Sequence, residues 1–561
     1  MDHELITHDE LQYWLRDFRT LMDTDLIRIK HSIQRQEQVL YHLSIDLDAY
    51  TNSVSGCFTF FKSHKKRSRK LKRVKQEQAT GMSSKKQLQS LLAPIRRLPP
   101  ELLSEIFLHC VQPCDQFVKP SPKEAPMLLG QICASWRTLA LSTPRLWSSL
   151  ELCRTWSSFN GKSSVHDAAA LMKLWLERSG QRPLSISIRD DLLEDPTVRE
   201  LFIRVTPRWQ HILIDVPRSV TSPLFSPHEH ASQLESVTVR SSKGLEPAQV
   251  ENMSLTLLAA QRLQYFNWDN SELESTPINM AWSALTHVTL NAAISVEQCM
   301  YILQDSPNLV DASFQCISAP SESMCPLMPS IVLPKLKSLV LGGGYDISPI
   351  LDFITLPNLL ELVLNVREWP QDALCRFFRR SRCPLMSFNL YFPSFTESDF
   401  IECLELLSAS LKEFTVQMDP LGPSILTDDV LDRLTYKEEE EKNCLCPALD
   451  VIAAYDCISC TDNRFSKMVE SRVRAPVTLN DNGTFVSPVK VIELYEKERE
   501  LVKELKELRR EGLILKIYSE VDGQPIDMDP EDVRQLQALR DSGLILRVYD
   551  PTSGLFGQVM D

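Results

Sequence analysis

Hydrophobic side chains along this chain recur in two rhythms. Between residues 4 and 50 they step by three and four, at Leu11, Leu15, Phe18, Met22, Leu26 and Ile29. That spacing puts them on one side of a 3.6-residue helix and predicts a mainly helical segment, either a short coiled coil or a helix packing on later structure. The same rhythm returns in "RRLPPELLSEIFLHC" (96–110), where Leu102, Leu103, Ile106 and Phe107 follow Pro99 and Pro100. Prolines suit a helix N-terminus because the N–H groups they lack have no partner there. Leu129, Ile132, Cys133, Trp136 and Leu139 continue at helical steps, and "STPRLW" restarts a helix with Ser142 or Thr143 as cap and Pro144 in the first turn. Three short helices are therefore expected before residue 150. "VHDAAALMKLWLERSG" predicts a further helix stopped by Gly180, and "PLSISI" after it alternates as a strand.

The second rhythm is a pattern L-x-x-L-x-L with conservative replacements. It reads "LESVTV" from Leu234, "LQYFNW" from Leu263, "LTHVTL" from Leu285, "LVDASF" from Leu309 and "LKSLVL" from Leu336. It continues as "LLELVL" from Leu359, "LMSFNL" from Leu385, "LKEFTV" from Leu411 and "LDVIAA" from Leu449. Successive starts lie 22 to 29 residues apart until the last, at 38, which contains the acidic insertion "KEEEEK". This is the period of leucine-rich repeats. The fourth and sixth residues of each unit share one face of a short strand, and one unit alone cannot bury that face. Neighbours must stack to do so, which predicts an α/β solenoid. The Asn or Cys that closes a regular repeat turn is present only in the last unit, as Cys457. In the tail, "LKELRREGLILKIY" (505–518) and "LQALRDSGLILRVY" (536–549) align without gaps as a terminal unit and its copy.

Length and composition narrow the classes. A chain of 561 residues exceeds one hydrophobic core, so two or more units are expected. With 43% apolar and 24% charged residues it has an ordinary globular composition. The start "MDHELITHDE" has neither the basic nor the apolar region of a secretory signal. No apolar run reaches the roughly 18 to 20 residues of a membrane helix. The 15 scattered cysteines fit reduced thiols, so a cytoplasmic or nuclear location is expected, with no membrane partner. The net charge of −13 argues against a surface wholly devoted to nucleic acid. A local exception is "KSHKKRSRKLKRVK" (62–75), whose mutual repulsion predicts an extended or frayed linker. Such a run also fits a nuclear-import signal. Without interleaved aromatics it does not support base stacking, and nucleic acid is not expected as a partner.

Motifs for catalysis are weak. "NGKSS" (160–164) resembles the end of a phosphate loop, but Trp156 stands where the first glycine belongs. "LGGGYD" (341–346) lacks the dinucleotide pattern and predicts a flexible turn. Cys444, Cys446, Cys457 and Cys460 have zinc-like spacing, but the intervening "LDVIAA" is a repeat strand. No G-x-S-x-G or H-E-x-x-H is present. The expectation is a protein that is not an enzyme, with no metal and no cofactor.

The array L-P-x-E-L-L-x-x-I-F, then I-C-x-x-W-R-x-L-A, then T-P-x-L-W, over about 93–150, resembles an F-box. It is most similar to the F-box-like proteins expanded in fungi, which also carry phrases like "WLERSG-x-x-PLSISI". The resemblance implies a substrate receptor of an SCF-type cullin–RING ubiquitin ligase. The F-box would dock a Skp-family adaptor, and through it a cullin, while the repeats recruit an unknown target. Matching positions place Leu98, Pro99, Leu102, Leu103, Ile106, Phe107, Ile132, Cys133, Trp136, Leu146 and Trp147 in the adaptor-binding region. Some of these must form the small domain's own core, and the sequence does not divide the two groups. The loop 111–126 is longer than in a compact F-box. The alternative is a repeat-based scaffold acting outside any ubiquitin ligase. The expected α/β organisation is a helical segment (1–61), a basic linker (62–92), the F-box (93–150), a leucine-rich-repeat-like domain (151–520) and a C-terminal extension (521–561).

Overall fold

A computed structural model of the chain describes residues 5–16, 22–52, 61–111, 117–154, 165–217 and most of 220–526, with two short strands nearer the C-terminus. Residues 271–277, 320–329, 438–443, 476–486, 527–548 and parts of 496–512 are among those outside the description, as is the phosphate-loop resemblance at 160–164. The chain forms two compact units, Met1–Ser187 and Ile188–Asp561.

In the first unit, helix α1 (His8–Arg16) is followed by α2 (Asp23–Asn52) and α3 (Phe61–Leu91). Thr7 and Glu10 cap α1 reciprocally: each backbone N–H donates to the other's side chain, at 2.9 and 3.2 Å. Leu11, Trp14, Ile29, Leu88 and Leu91 form a common core for the three helices. The stripe expected over 11–29 is split between α1 and α2, and Met22 is largely exposed. Arg96 donates to the carbonyls of Trp14 and Leu15 at 2.9 and 3.4 Å, tying the next segment to α1.

The basic run 62–75 is helical, not extended, and forms the first half of α3. Packing against α2 outweighs charge repulsion that water and salt already screen. Val74 is buried and Leu71 half-buried, Arg73 pairs with Glu77 one turn on at 2.9 Å, and Lys85 pairs with Glu37 of α2 at 2.8 Å.

Next come α4 (Pro100–Cys110), α5 (Leu129–Ile132), α6 (Ala134–Leu141), a 3-10 turn (Pro144–Trp147), strand β1 (Ser149–Leu152) and α7 (Val165–Arg178). The single helix expected across Leu129–Leu139 breaks at Cys133, whose extended backbone caps α6 as its sulfur accepts from the Trp136 N–H at 3.4 Å. Thr143 does not cap a helix. Its hydroxyl donates back to the Leu139 carbonyl at 2.7 Å, and a 3-10 turn follows. Strand β2 (Leu184–Ile188) begins after Gly180, which ends α7 in the left-handed conformation at φ 59°. This unit runs on past residue 150 because α7 packs on the 3-10 turn. The Trp147 and Trp175 rings meet at 4.9 Å, the Arg178 guanidinium lies 4.3 Å over Trp147, and the Trp175 indole donates to the Ser149 carbonyl at 3.0 Å.

The second unit is the repeat. After α8 (Pro196–Arg204) come β3 (Trp209–Val216), β4 (Ser236–Ser241), α9 (Pro247–Leu258), β5 (Tyr265–Asn270), β6 (His287–Ser295), α10 (Val296–Asp305) and β7 (Asp311–Ser318). Then follow β8 (Ile331–Val332), β9 (Ser338–Gly343), α11 (Ser348–Phe353), β10 (Ile354–Thr355), β11 (Glu361–Val366), α12 (Gln371–Ser381), β12 (Ser387–Tyr391), α13 (Glu397–Leu407) and β13 (Glu413–Gln417). The series ends with α14 (Asp428–Leu434), β14 (Val451–Tyr455), α15 (Arg464–Val473), β15 (Val491–Tyr495), β16 (Ile514–Tyr518) and β17 (Pro525–Ile526). β3 through β7, β9 and β11 through β16 lie side by side in chain order, all parallel, while β17 returns antiparallel. β8 and β10 form a separate parallel pair.

Every L-x-x-L-x-L unit is one of these strands, and each strand starts two residues after the motif's first leucine. Those leucines, from Leu234 to Leu449, are buried, as are the fourth and sixth positions such as Phe266 and Trp268 or Leu362 and Leu364. The register is constant over the first four residues of each strand, with shifts only farther along where β7 pairs β6 and β9. Val237, Phe266, Val288, Ala312, Leu339, Leu362, Phe388, Phe414 and Ile452 form one row across the sheet. Backbone bonding repeats too: each second-position carbonyl, such as Lys337 or Met386, accepts two N–H groups from the next unit at 2.7 to 3.2 Å.

Successive helices are joined by ion pairs, Asp352–Arg376, Glu402–Arg379, Glu405–Arg433 and Asp432–Arg464, at 2.6 to 3.1 Å. All are solvated, so each contributes at most about 1 kcal/mol. "LGGGYD" is not a turn where it begins. Gly342 and Gly343 lie in β9, where a Cβ would stand 2.8 Å from the Gln315 carbonyl and 2.3 Å from that of Ile317, beside the irregularity in β7. Of the tail's two copies, the strand of the first is β16. The second, 536–549, lies almost wholly outside the described residues.

Candidate docking surface

The eleven residues singled out between 98 and 147 separate by exposure. Leu103, Phe107, Leu146 and Trp147 are buried and form the inside of the small helical array. Phe107 meets the half-buried Trp136 at 4.8 Å, and the Trp147 indole donates to the Ala140 carbonyl at 2.8 Å. Leu98 and Cys133 are half-buried, with Cys133 occupied as the cap of α6. Pro99, Leu102, Ile106 and Ile132 are exposed, Leu102 by 55% and Ile132 by 53%.

The division follows from helix geometry. Leu102 and Ile106 are four residues apart and lie on one face of α4, while Leu103 and Phe107 are turned by one position toward the core. Pro100 at the start of α4 needs no N–H partner, and the Leu103 N–H is the first to bond back, to the Pro99 carbonyl at 3.0 Å. Two further exposed leucines, Leu128 before α5 and Leu141 at the end of α6, were not singled out from the sequence. Their only sequence signal is position: each falls where the apolar stripe meets a helix end. Arg145 and Glu105 form a solvated pair at 3.6 Å between the 3-10 turn and α4. The part of loop 111–126 that is described returns to β1, where the Val118 N–H donates to the Ser149 hydroxyl at 3.0 Å.

A second surface is the sheet face that carries the third and fifth motif positions. It carries polar side chains at several positions and, in its middle, a buried apolar cluster of Val340, Val363 and Tyr391. The Ser338 hydroxyl donates to Glu361 at 2.9 Å, the Asn291 amide to Asp269 at 3.0 Å, and the Tyr455 hydroxyl to Glu493 at 2.8 Å, with Lys516 donating to the same carboxylate at 2.5 Å. Near the start of the series Tyr265 stacks on His287 at 4.3 Å. Burial holds the His211 and His287 imidazoles below their ordinary range, opposed by Glu235 and Asp311 respectively.

The zinc-like cysteines are used otherwise. Cys446 and Cys457 are buried, and the thiols of Cys444 and Cys446 donate to the carbonyls of Leu434 and Leu404 at 3.7 Å. Among the described residues no group of three or more His, Cys, Asp or Glu side chains is arranged to hold a metal. No described helix is long and apolar enough to cross a membrane.

No protein-family model matches the chain, and no curated protein matches it. Among solved structures, one described as the crystal structure of the Rad7 and Elc1 complex in yeast is 15% identical. It covers 59% of this chain and 92% of its own at a TM-score of 0.29, a likeness that carries no argument here.

Proposed function

We propose that this chain is a non-catalytic receptor that docks a Skp-family adaptor of a cullin–RING ubiquitin ligase through residues 93–150 and presents a target on its repeats. One observation carries the reading. In an array that already has a closed core of Leu103, Phe107, Leu146 and Trp147, the large apolar side chains of Leu102, Ile106 and Ile132 stay in water. A water-soluble fold gains nothing from such residues, so a partner that covers them accounts for their presence. Covering each gives roughly 1.5–3 kcal/mol. A few such anchors dominate a standard interface of about 800 Å² per side. Near the start of the series the exposed Tyr265 ring, stacked on His287, suits ring contact with a target.

The test is co-purification of the full chain with a Skp-family adaptor and a cullin. The wild type is expected to retain both, and Leu102→Asp combined with Ile106→Asp to lose both while circular dichroism stays unchanged. Equal retention by the folded double variant would sink the reading. Adaptor without cullin would point to a scaffold outside the ligase.

A further inference from the structure

The first half of α3 offers a cationic surface of its own, independent of the receptor reading. Residues 62–75 contain nine Lys or Arg and no acidic residue. On a helix they span about 21 Å, at 1.5 Å per residue. Arg69, Lys72 and Lys75 are exposed, Arg73 is paired with Glu77, and the helix fixes the spacing of charges that a frayed linker would leave to fluctuate. A chain with a net charge of −13 that collects this many cations on one rigid rod has a local surface complementary to a polyanion.

Two polyanions need distinguishing, an acidic lipid surface and a nucleic acid backbone. A helix that lies in a membrane interface needs a free apolar face to bury among the acyl chains. Here the apolar residues of the run are spent inside the protein: Val74 is buried and Leu71 half-buried. What remains outward over 69–75 is charge alone. No aromatic residue occurs in the run, so single-strand stacking is not offered either.

We infer that α3 is a docking rod for the phosphate backbone of double-stranded DNA, bound without regard to sequence. Duplex DNA carries one charge per about 1.7 Å of axis over its two strands, so the length of duplex beside about 21 Å of helix holds about a dozen phosphates, of which the helix meets those on its own side. The solvent side of α3, a helix about 10–12 Å across whose other side packs on α2, suits the roughly 12 Å rim of the B-form major groove, whereas the A-form groove of duplex RNA is narrow and deep. The expectation that nucleic acid is no partner came from the missing aromatics and the net charge of −13, which bear on base stacking and on the surface as a whole and not on backbone contact by one helix.

The experiment is anisotropy of a labelled 25-base-pair DNA duplex of arbitrary sequence, titrated with the full chain at 50 to 200 mM salt. A parallel arm uses duplex RNA of equal length, and another uses phosphatidylserine vesicles. Wild type is expected to bind DNA with a steep salt dependence. The neutralising variant Arg69→Gln/Lys72→Gln/Lys75→Gln should flatten the log–log slope by about 2.7, so that its loss across that salt range is about forty-fold smaller. The reversing variant Arg69→Glu/Lys72→Glu/Lys75→Glu should abolish binding. Circular dichroism checks that both remain folded, and the conservative Arg69→Lys/Lys72→Arg/Lys75→Arg should bind as wild type. No binding at 50 mM salt, an unchanged slope in the neutralised protein, or tighter binding to RNA or to vesicles than to DNA would each overturn the inference.

Discussion

Leu102 and Leu103 are adjacent, chemically identical and oppositely placed, which makes them a controlled pair. Leu103 is 2% exposed and Leu102 55%. Leu103→Ala removes three buried carbons at about 0.8 kcal/mol each, about 2.4 kcal/mol, and the cavity left against Phe107 and its neighbours raises the loss to about 3–4 kcal/mol. Leu102→Ala removes carbons that are half in water, so the same arithmetic gives about 1 kcal/mol, with no cavity and with a few tenths returned by alanine's helix propensity. The difference of about 2–3 kcal/mol is roughly a thirty- to 150-fold change in the local opening equilibrium. A global melting curve blurs it, because a chain of two units need not unfold in one step. Hydrogen exchange of the amides in α4 and α6 reads it directly. Adaptor affinity should rank the pair the other way. Leu102→Ala should lose about ten- to thirty-fold in binding, and a partially destabilised but folded Leu103→Ala much less. If Leu102→Ala opens α4 as readily as Leu103→Ala, the exposed face is core and the docking argument fails.

Two further outcomes follow from buried groups. Arg472 is fully buried and donates to the carbonyls of Leu434, Leu445 and Cys446 and to the Cys444 sulfur, with burial pulling its pKa below the ordinary range. Arg472→Ala strands those carbonyls at about 1–3 kcal/mol each, so exchange protection in α14 and β14 should fall by at least 3 kcal/mol, about a hundred-fold. Arg472→Met, which refills volume without donors, should recover less than half, and full recovery would show that packing, not hydrogen bonding, matters there. Burial pushes the Cys446 thiol up to about 12 and the Cys375 thiol up to about 11, while Cys110 is exposed. Alkylation with iodoacetamide at pH 8 should therefore mark Cys110 within minutes and the other two only after denaturant is added. Early labelling of Cys446 in the native protein, read by peptide mass spectrometry, would contradict the packing of the bend that precedes β14.

The repeat strands were legible because three buried positions per unit repeat often enough to fix both the element and its face. β3 was not, because "WQHILIDV" lacks the leading leucine and its core residues Ile212 and Ile214 flank another apolar residue, Leu213. The break at Cys133 was hidden because no glycine or proline marks it and a thiol is a weak cap. The glycines of β9 were misread for the opposite reason. Their usual role in turns masked a need for close backbone approach that only the neighbouring strand creates. The basic run was misjudged because repulsion is visible in sequence, whereas the α2 surface that supports the helix is not. At the docking surface the list of apolar residues was legible, but their division was not. Leu102 and Leu103 carry the same letter, and only the direction of Cβ around α4 tells an anchor from a core residue.

The doubly accepting carbonyls along the sheet have a bearing on damage. Each strand leans on the unit before and the unit after it and on none farther away, so a lesion has two neighbours through which to spread. A truncated side chain in β6 should loosen β5 and β7 and leave β13 as it was. Such a chain has compartments, like a ship's hull. It can drift in sequence at one unit, altering what that stretch of surface contacts, while the rest stays afloat.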